Sequence, residues 1–334
     1  MSEISICVAV CTRNRTVQLE RLLHSLEAQT RRPHQVLVVD NAPSSNDTQQ
    51  LLAAREDQIL RYVCEPVAGL DFARNRALQE ATTDVVAFID DDAVADAGWV
   101  AALHMAFNRD ANNALCTGKV KALTQATDGQ RLFEANGGFD KGSARITLPG
   151  QDRARCLPGK RPLIAWAFGL GVGCNLAVRR LAALQLGGFD EALDMGATMP
   201  GGGDTDMIWR MLEAGHQVSY EPDALVLHEH RHTLAGAVEQ IVGHNKASMA
   251  MLAKAWKMSS LTDRLPIALF ISWRLVKPGV RLLRRSAGAD PLPVPVLLCI
   301  WKSCIGGLFS YPDARQLADA RKNSVLTTSA SEPG

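Results

Sequence analysis

The stretch VVAFIDDDAVADAGWV, Val85–Val100, begins as an apolar run with the look of a buried strand and ends in three consecutive carboxylates. Side chains on a strand alternate between its two faces, so Asp90 and Asp92 point to one side and Asp91 to the other. Three adjacent anions repel, and water, basic side chains or a cation must offset that repulsion. A solvated acidic box at a helix start is the ordinary reading. The alternative is a hard divalent cation, Mg²⁺ or Mn²⁺, held between carboxylates and phosphate oxygens where a buried strand surfaces.

The surrounding pattern places this strand in an α/β sheet. ISICVAV, QVLVVD and LRYVCE read as strands, and VQLERLLHSLEAQT and NDTQQLLAARE read as the helices between them. GLDFARNRALQEAT reads as a further helix before VVAFID. Thr12, Asp40 and Asp90 each follow or close a strand, where ligands bind in open α/β sheets. From about Leu103 to Leu170 the text is less periodic, and strands with long loops are expected. GGGDTDMIWRMLEAGHQV reads as a glycine loop entering a helix, and VSYEPDALVLHEHRHT as a strand running into His228, His230 and His232.

Bulk properties narrow the class. The 334 residues are 47% hydrophobic and 21% charged, enough apolar material for a sizeable core. A formal net charge of +1 implies no global attraction to nucleic acid. The 8 cysteines form no CxxC pair or zinc-like spacing, so reduced thiols in a cytoplasmic protein are expected. The first apolar stretch leads into Thr12 and Arg13 and not into a small-residue cleavage site, which favours a core strand over a signal peptide. The position after it reads CTRNRT, without G-x-G-x-x-G, and no P-loop is present.

Several side chains carry two readings. Asp40 either caps a helix starting near Ser45 or accepts an N–H from a nucleobase. Arg74 is a solvated helix cation or a phosphate ligand. Asp204 is an N-cap or a general base beside a mobile glycine loop, and Asp206, two residues on, lies on a different face. The histidines are a surface cluster, or one of them completes a metal site with the carboxylates.

ISICVAVCTRNR, VVDNAPSSNDT, FARNRAL, FIDDDA, GVGCNLAVRR with LGGFDE, GGDTDMIWRMLEAGHQV and HEHRHT occur in an order that resembles glycosyltransferase family 2 over roughly residues 4–233. The resemblance implies a GT-A fold: a mixed, mostly parallel sheet flanked by helices, here with a helical C-terminal extension. It implies an inverting transfer from a nucleotide-sugar, most simply a UDP-sugar, assisted by Mg²⁺ or Mn²⁺. Asp40 is then expected to bind the base, Thr12 and Arg13 to line the nucleotide pocket, and Arg74 to lie near the base or diphosphate. Asp90, Asp91 and Asp92 resemble the DxD motif, with Asp92 as the direct metal ligand and His228, or less favourably His230, beside it. Asp204 matches the catalytic base. Gly203 stands where the family usually carries Glu, a departure that bears on acceptor contacts. Trp166, Asn175, Gly202, Gly203 and Asp206 are expected on the acceptor side.

The implied acceptor is a glycan or lipid-linked glycan in surface polysaccharide assembly. A sugar nucleotidyltransferase and a non-catalytic nucleotide-sugar or glycan-binding subunit are the rival readings. The organisation expected is a catalytic domain over 1–233, a helical extension over 234–322 and a disordered tail over 323–334. LPIALFISWRLVKPGVRLLRR and PLPVPVLLCIWKSCIGGLFSY are apolar with basic interruptions. Neither supplies about 20 uninterrupted apolar residues, so interfacial helices at the inner face of the cytoplasmic membrane, or a homodimer contact, are expected before a transmembrane span.

Overall fold

Strands whose successive side chains enter two cores build the sheet of the computed structural model, which describes residues 3–148 and 162–331. β1 (Ile6–Thr12), β2 (Gln35–Asn41), β3 (Leu60–Glu65) and β4 (Val85–Asp90) are joined by α1 (Thr16–Glu27), α2 (Asp47–Ala53) and α3 (Leu70–Glu80). After the carboxylates come β5 (Ala93–Ala95), α4 (Trp99–Arg109), β6 (Asn113–Ala122), α5 (Asp128–Ala135) and β7 (Ile146–Leu148). Then follow α6 (Leu163–Ala167), β8 (Asn175–Arg179), α7 (Arg180–Gln185), α8 (Gly203–Glu213) and β9 (Gln217–His228). The chain closes with α9 (Leu234–Met258), α10 (Leu261–Ser286) and α11 (Val294–Ser331).

The strand order is β3-β2-β1-β4-β8-β6-β9-β5, with β7 also on β9. β1 to β4 are mutually parallel where they pair, and β8 lies antiparallel between β4 and β6. The sheet is therefore mixed, as expected, with four parallel and four antiparallel pairings among the described residues. Register brings the strand ends together: Thr12 lies opposite Asp40, and Cys11 opposite Asp90. Alternate residues feed two separate cores. Val8, Val10, Val36 and Val38 pack with Leu19 and Leu22 of α1 and Trp99 and Phe107 of α4. Cys7, Ala9, Leu37 and Phe88 face the other way, toward α3, α8 and α9. Burial on both faces explains why these strands read as continuous apolar runs.

Two expectations need correction. Leu103 to Arg109 are not part of an irregular stretch but the second half of α4, whose Leu103, Ala106 and Phe107 are buried. Residues 149–161 of that same stretch lie outside the described residues. The tail expected to be disordered from Asn323 instead continues α11 to Ser331. By length and composition alone, one segment of α11 among the described residues, Val294–Thr327, could cross a membrane, but its exposed apolar stripe is confined to the first half.

The extension is pinned to the α/β body by buried charge. Lys254 of α9 donates to Asp206 Oδ1 at 2.6 Å and lies 2.6 Å from Asp190 Oδ2. Asp190 also accepts from Tyr311 Oη at 2.7 Å and pairs with Arg315, both on α11. Arg210 closes the other oxygen of Asp206 at 2.7 Å. One network thus ties α8, α9, α11 and the loop before α8.

Candidate active site

The carboxylate triplet lies at the C-terminal end of β4, and its neutralising partners come from β1, the turn after it, and β9. Thr12 Oγ1 donates to Asp91 Oδ2 at 2.8 Å. Arg15 Nη1 donates to Asp91 Oδ1 at 3.0 Å and to Asp92 Oδ2 at 3.1 Å. His228 Nε2 lies 3.1 Å from Asp92 Oδ1 and 3.7 Å from Asp90 Oδ2. Basic side chains therefore offset the repulsion that the sequence raised. Arg15 was missed, although it sits in the quoted CTRNR, because nothing in the sequence distinguishes it from Arg13.

Burial and charge pull against each other here. Burial penalises the Asp92 carboxylate, but His228 and then Arg15 outweigh it and hold its pKa down at about 2. Burial likewise opposes the His228 imidazolium, but Asp90 and Asp92 prevail and hold it up at about 9. Asp91 goes the other way: burial raises it to about 6 despite Arg15.

The donor set fits a divalent cation. Asp90, Cys174 and His228 each offer a ligand atom within 4.8 Å of one another, and Asp92 Oδ1 lies 3.1 Å from the same His228 Nε2. Carboxylate and imidazole suit Mg²⁺ or Mn²⁺. Burial raises the Cys174 thiol well above its ordinary value, so it stays protonated and is a poor ligand for a hard ion.

Two adjoining cavities meet at this point. The larger, about 560 Å³, is lined by Thr12, Arg13, Arg15, the three aspartates, Arg231 and Arg321. The smaller, about 310 Å³, is lined by Arg74, Phe139, Lys141, Phe168, Asp204 and His244. Asp90, Asp194, Leu70, Gln240 and His228 line both. Arg321 reaches in from α11 and donates to the Ala68 carbonyl at 2.6 Å.

Asp204 is held at the first turn of α8. Its Oδ2 accepts the Gly173 N–H at 2.7 Å and its Oδ1 the Thr205 N–H at 2.7 Å. Gly202, at φ +104°, supplies the left-handed turn that starts the helix. Arg74 donates to Asp71 Oδ1 at 2.9 Å and Asp194 Oδ2 at 3.5 Å, and Asp194 accepts the Gly203 N–H at 2.8 Å. Burial and the neighbouring anions leave Asp194 raised to about 6, with Arg74 opposing. The departure at Gly203 has a steric reason: a Cβ there would sit 1.9 Å from Asp71 Oδ2. Gly203→Ala is therefore expected to lower the thermal midpoint, at a cost of about 1–3 kcal/mol, read against the parent by thermal unfolding.

Other expected residues fall elsewhere. Asp40 is fully buried beneath the sheet edge, receives Tyr62 Oη at 3.4 Å, and keeps Oδ1 without a partner; it does not line either cavity. Asn175 is a core residue, accepting from Trp99 Nε1 at 2.9 Å and donating to the Lys119 and Ala224 carbonyls. Asp206 is closed by Arg210 and Lys254. Neither faces an acceptor, because both are needed to satisfy buried groups. Trp166 is buried on α6, and Phe168, which the sequence reading passed over, lines the smaller cavity in its place. β9 ends at His228; the His230 ring still lies 5.4 Å from that of His228 but pairs with Glu134, and His232 pairs with Glu229, each at 2.7 Å.

Comparison with known proteins agrees with this geometry. Residues 7–159 match the model of glycosyl transferase family 2. The pre-mycofactocin glycosyltransferase of Mycobacterium tuberculosis (strain ATCC 25618 / H37Rv) is 32% identical over 69% of this chain, which spans only 44% of that protein. The succinoglycan biosynthesis protein ExoM of Rhizobium meliloti (strain 1021) is 30% identical, covering 75% of this chain and 71% of ExoM. The mannosyltransferase PcManGT from Pyrobaculum calidifontis, solved with GDP-Man and Mn²⁺, has a TM-score of 0.57 at 18% identity, covering 98% of this chain and 87% of that one. TarS 1–349 of S. aureus, solved with UDP, has a TM-score of 0.56 at 15% identity, covering 94% and 90%. These structures share the GT-A fold with it, and with ExoM matched over most of both chains, the chain belongs to glycosyltransferase family 2.

Proposed function

We propose that the chain is an inverting glycosyltransferase that binds a nucleotide-sugar, most simply a UDP-sugar, in the larger cavity and a glycan or lipid-linked glycan hydroxyl in the smaller one. The observation that carries this reading is the junction of the two cavities at Asp90 and His228, with the neutralised carboxylates on one side and Asp204 on the other. Among the relatives, the name of ExoM, a succinoglycan biosynthesis protein, supports a glycan acceptor.

Asp90, Asp92 and His228 would hold Mg²⁺ or Mn²⁺, which when bound supplies Lewis-acid stabilisation of the diphosphate charge. Arg13 and Arg15, and Arg321 from the far end of the chain, add positive charge around the same cavity. Asp204, oriented by the Gly173 and Thr205 amides, takes the proton of the acceptor hydroxyl. As that oxygen bonds to the anomeric carbon, the carbon–oxygen bond to the diphosphate breaks and its electron pair leaves with the nucleoside diphosphate. Attack from the face opposite the leaving group inverts the centre.

Purified protein incubated with UDP-, GDP- and dTDP-sugars, Mn²⁺ and a glycan acceptor is expected to release nucleoside diphosphate from one donor class. Asp92→Ala is expected to abolish the metal dependence of that release. Donor binding by calorimetry with no release from any donor, with acceptor present, would favour a binding subunit instead.

A further inference from the structure

We infer that α10 and the first half of α11 form a docking surface for an anionic lipid bilayer, lying in its interface and not crossing it. On α10, Leu261, Leu265, Leu269, Trp273, Val276, Val280 and Leu283 recur every three or four residues, and all are exposed. Val294, Leu298, Trp301, Ile305 and Phe309 do the same on α11. Between the two helices runs a wholly apolar groove of about 530 Å³, with Val276, Val280, Leu283, Trp301 and Ile305 on its walls. Scattered exposed apolar residues are normal, but two aligned stripes meeting at a groove make a contiguous face.

Charge selects the occupant. Residues 261–312 contain seven Lys and Arg against two Asp. One acid, Asp290, is closed by Arg281 at 2.7 Å. Lys277, Arg284, Arg285 and Lys302 make no ion pair with a carboxylate among the described residues, and all four are exposed. An apolar face bordered by unpaired cations matches anionic headgroups above acyl chains. A second copy of the chain would bring these same cations together.

The helices lie in the interface because their inner faces are occupied. Leu297, Ile300 and Cys304 of α11 are buried, and Gly307 meets the backbone of Lys246 on α9. The apolar half, Val294 to Phe309, rises only about 24 Å, short of the roughly 30 Å hydrocarbon core. Beyond Pro312 the helix is charged, and its Arg315 and Lys322 pair with Asp190 and Glu191 of the catalytic body.

The surface adjoins the acceptor side. Phe270 of α10 lies 5.4 Å from the Phe168 ring, and the Arg274 guanidinium stands 5.5 Å from the same ring, which lines the smaller cavity. If that cavity takes the acceptor, as proposed above, a lipid-linked acceptor can reach Asp204 while its lipid stays in the bilayer; this last step alone rests on that reading.

The test is sedimentation with vesicles of phosphatidylcholine, with and without phosphatidylglycerol, in the absence of donor and metal. Full-length protein is expected to sediment with the anionic vesicles. Leu269→Ser/Trp273→Ser/Leu298→Ser is expected to weaken this by about tenfold or more, and Lys277→Glu/Arg284→Glu/Lys302→Glu to remove the preference for anionic vesicles. All six positions are exposed, and an unchanged thermal midpoint checks that each variant folds. No sedimentation by the parent, or full retention by the apolar variant, overturns the inference. So does a dimer in light scattering that the apolar variant splits, since a second copy would then cover the face. Vesicle binding without nucleoside diphosphate release would leave this inference standing and overturn the transfer reading.

Discussion

Asp204→Asn is expected to lower kcat by about a thousandfold while leaving donor affinity unchanged. The asymmetry follows from where the side chain lies. Asp204 lines only the smaller cavity, and its two oxygens are already oriented by the Gly173 and Thr205 amides. Asparagine keeps the volume but turns one acceptor into an N–H donor, so it cannot take a proton from an attacking hydroxyl. Donor-binding calorimetry against steady-state turnover separates the two effects. An equal loss in affinity and turnover would mean that Asp204 holds the donor, and a retained kcat would mean that another group is the base. Lys141 and His244 share the cavity, and burial lowers both toward the neutral forms that accept a proton, so they would be the groups to test next.

The largest effect on stability is expected far from that carboxylate. Lys254→Met removes the cation shared by Asp190 and Asp206 and leaves two buried acids without it. Breaking a buried pair from one side costs about 3–5 kcal/mol, more than most single changes. Lys254→Arg keeps the charge and is expected to cost less. Thermal midpoints of the two variants, set beside that of Lys257→Met at an exposed site of the same helix, measure this directly. If Lys254→Met melts no lower than Lys257→Met, the network does not hold the extension to the body.

What was legible in the sequence followed from periodicity and local chemistry. Strands buried on both faces announce themselves as apolar runs, so β1, β2 and β4 and the residues at their ends, Thr12, Asp40 and Asp90, could be placed from the sequence. The glycine loop into α8 marked Asp204 for the same reason. What failed required knowledge of distant neighbours. Asp206 reads as a twin of Asp204 along the chain, and only the arrival of Lys254, 48 positions later, makes it a structural anion. Asn175 follows the Gly-rich approach to the site, but its amide is spent on β6 and β9 carbonyls and a tryptophan. Arg15 and Arg321 carry no local signal at all. Arg321 lies 253 positions from the carbonyl it meets, in the part of the extension expected to be helical but not to reach the site.

The long last helix makes the two ends of the molecule a single piece. Its first half carries the greasy stripe that would tempt anyone preparing a better-behaved protein to cut the chain short after α9 or α10. Such a cut would also take away Tyr311 and Arg315, which brace Asp190, and Arg321, which walls the larger cavity. Solubility is better sought by replacing the exposed apolar side chains one by one, with the helix left whole.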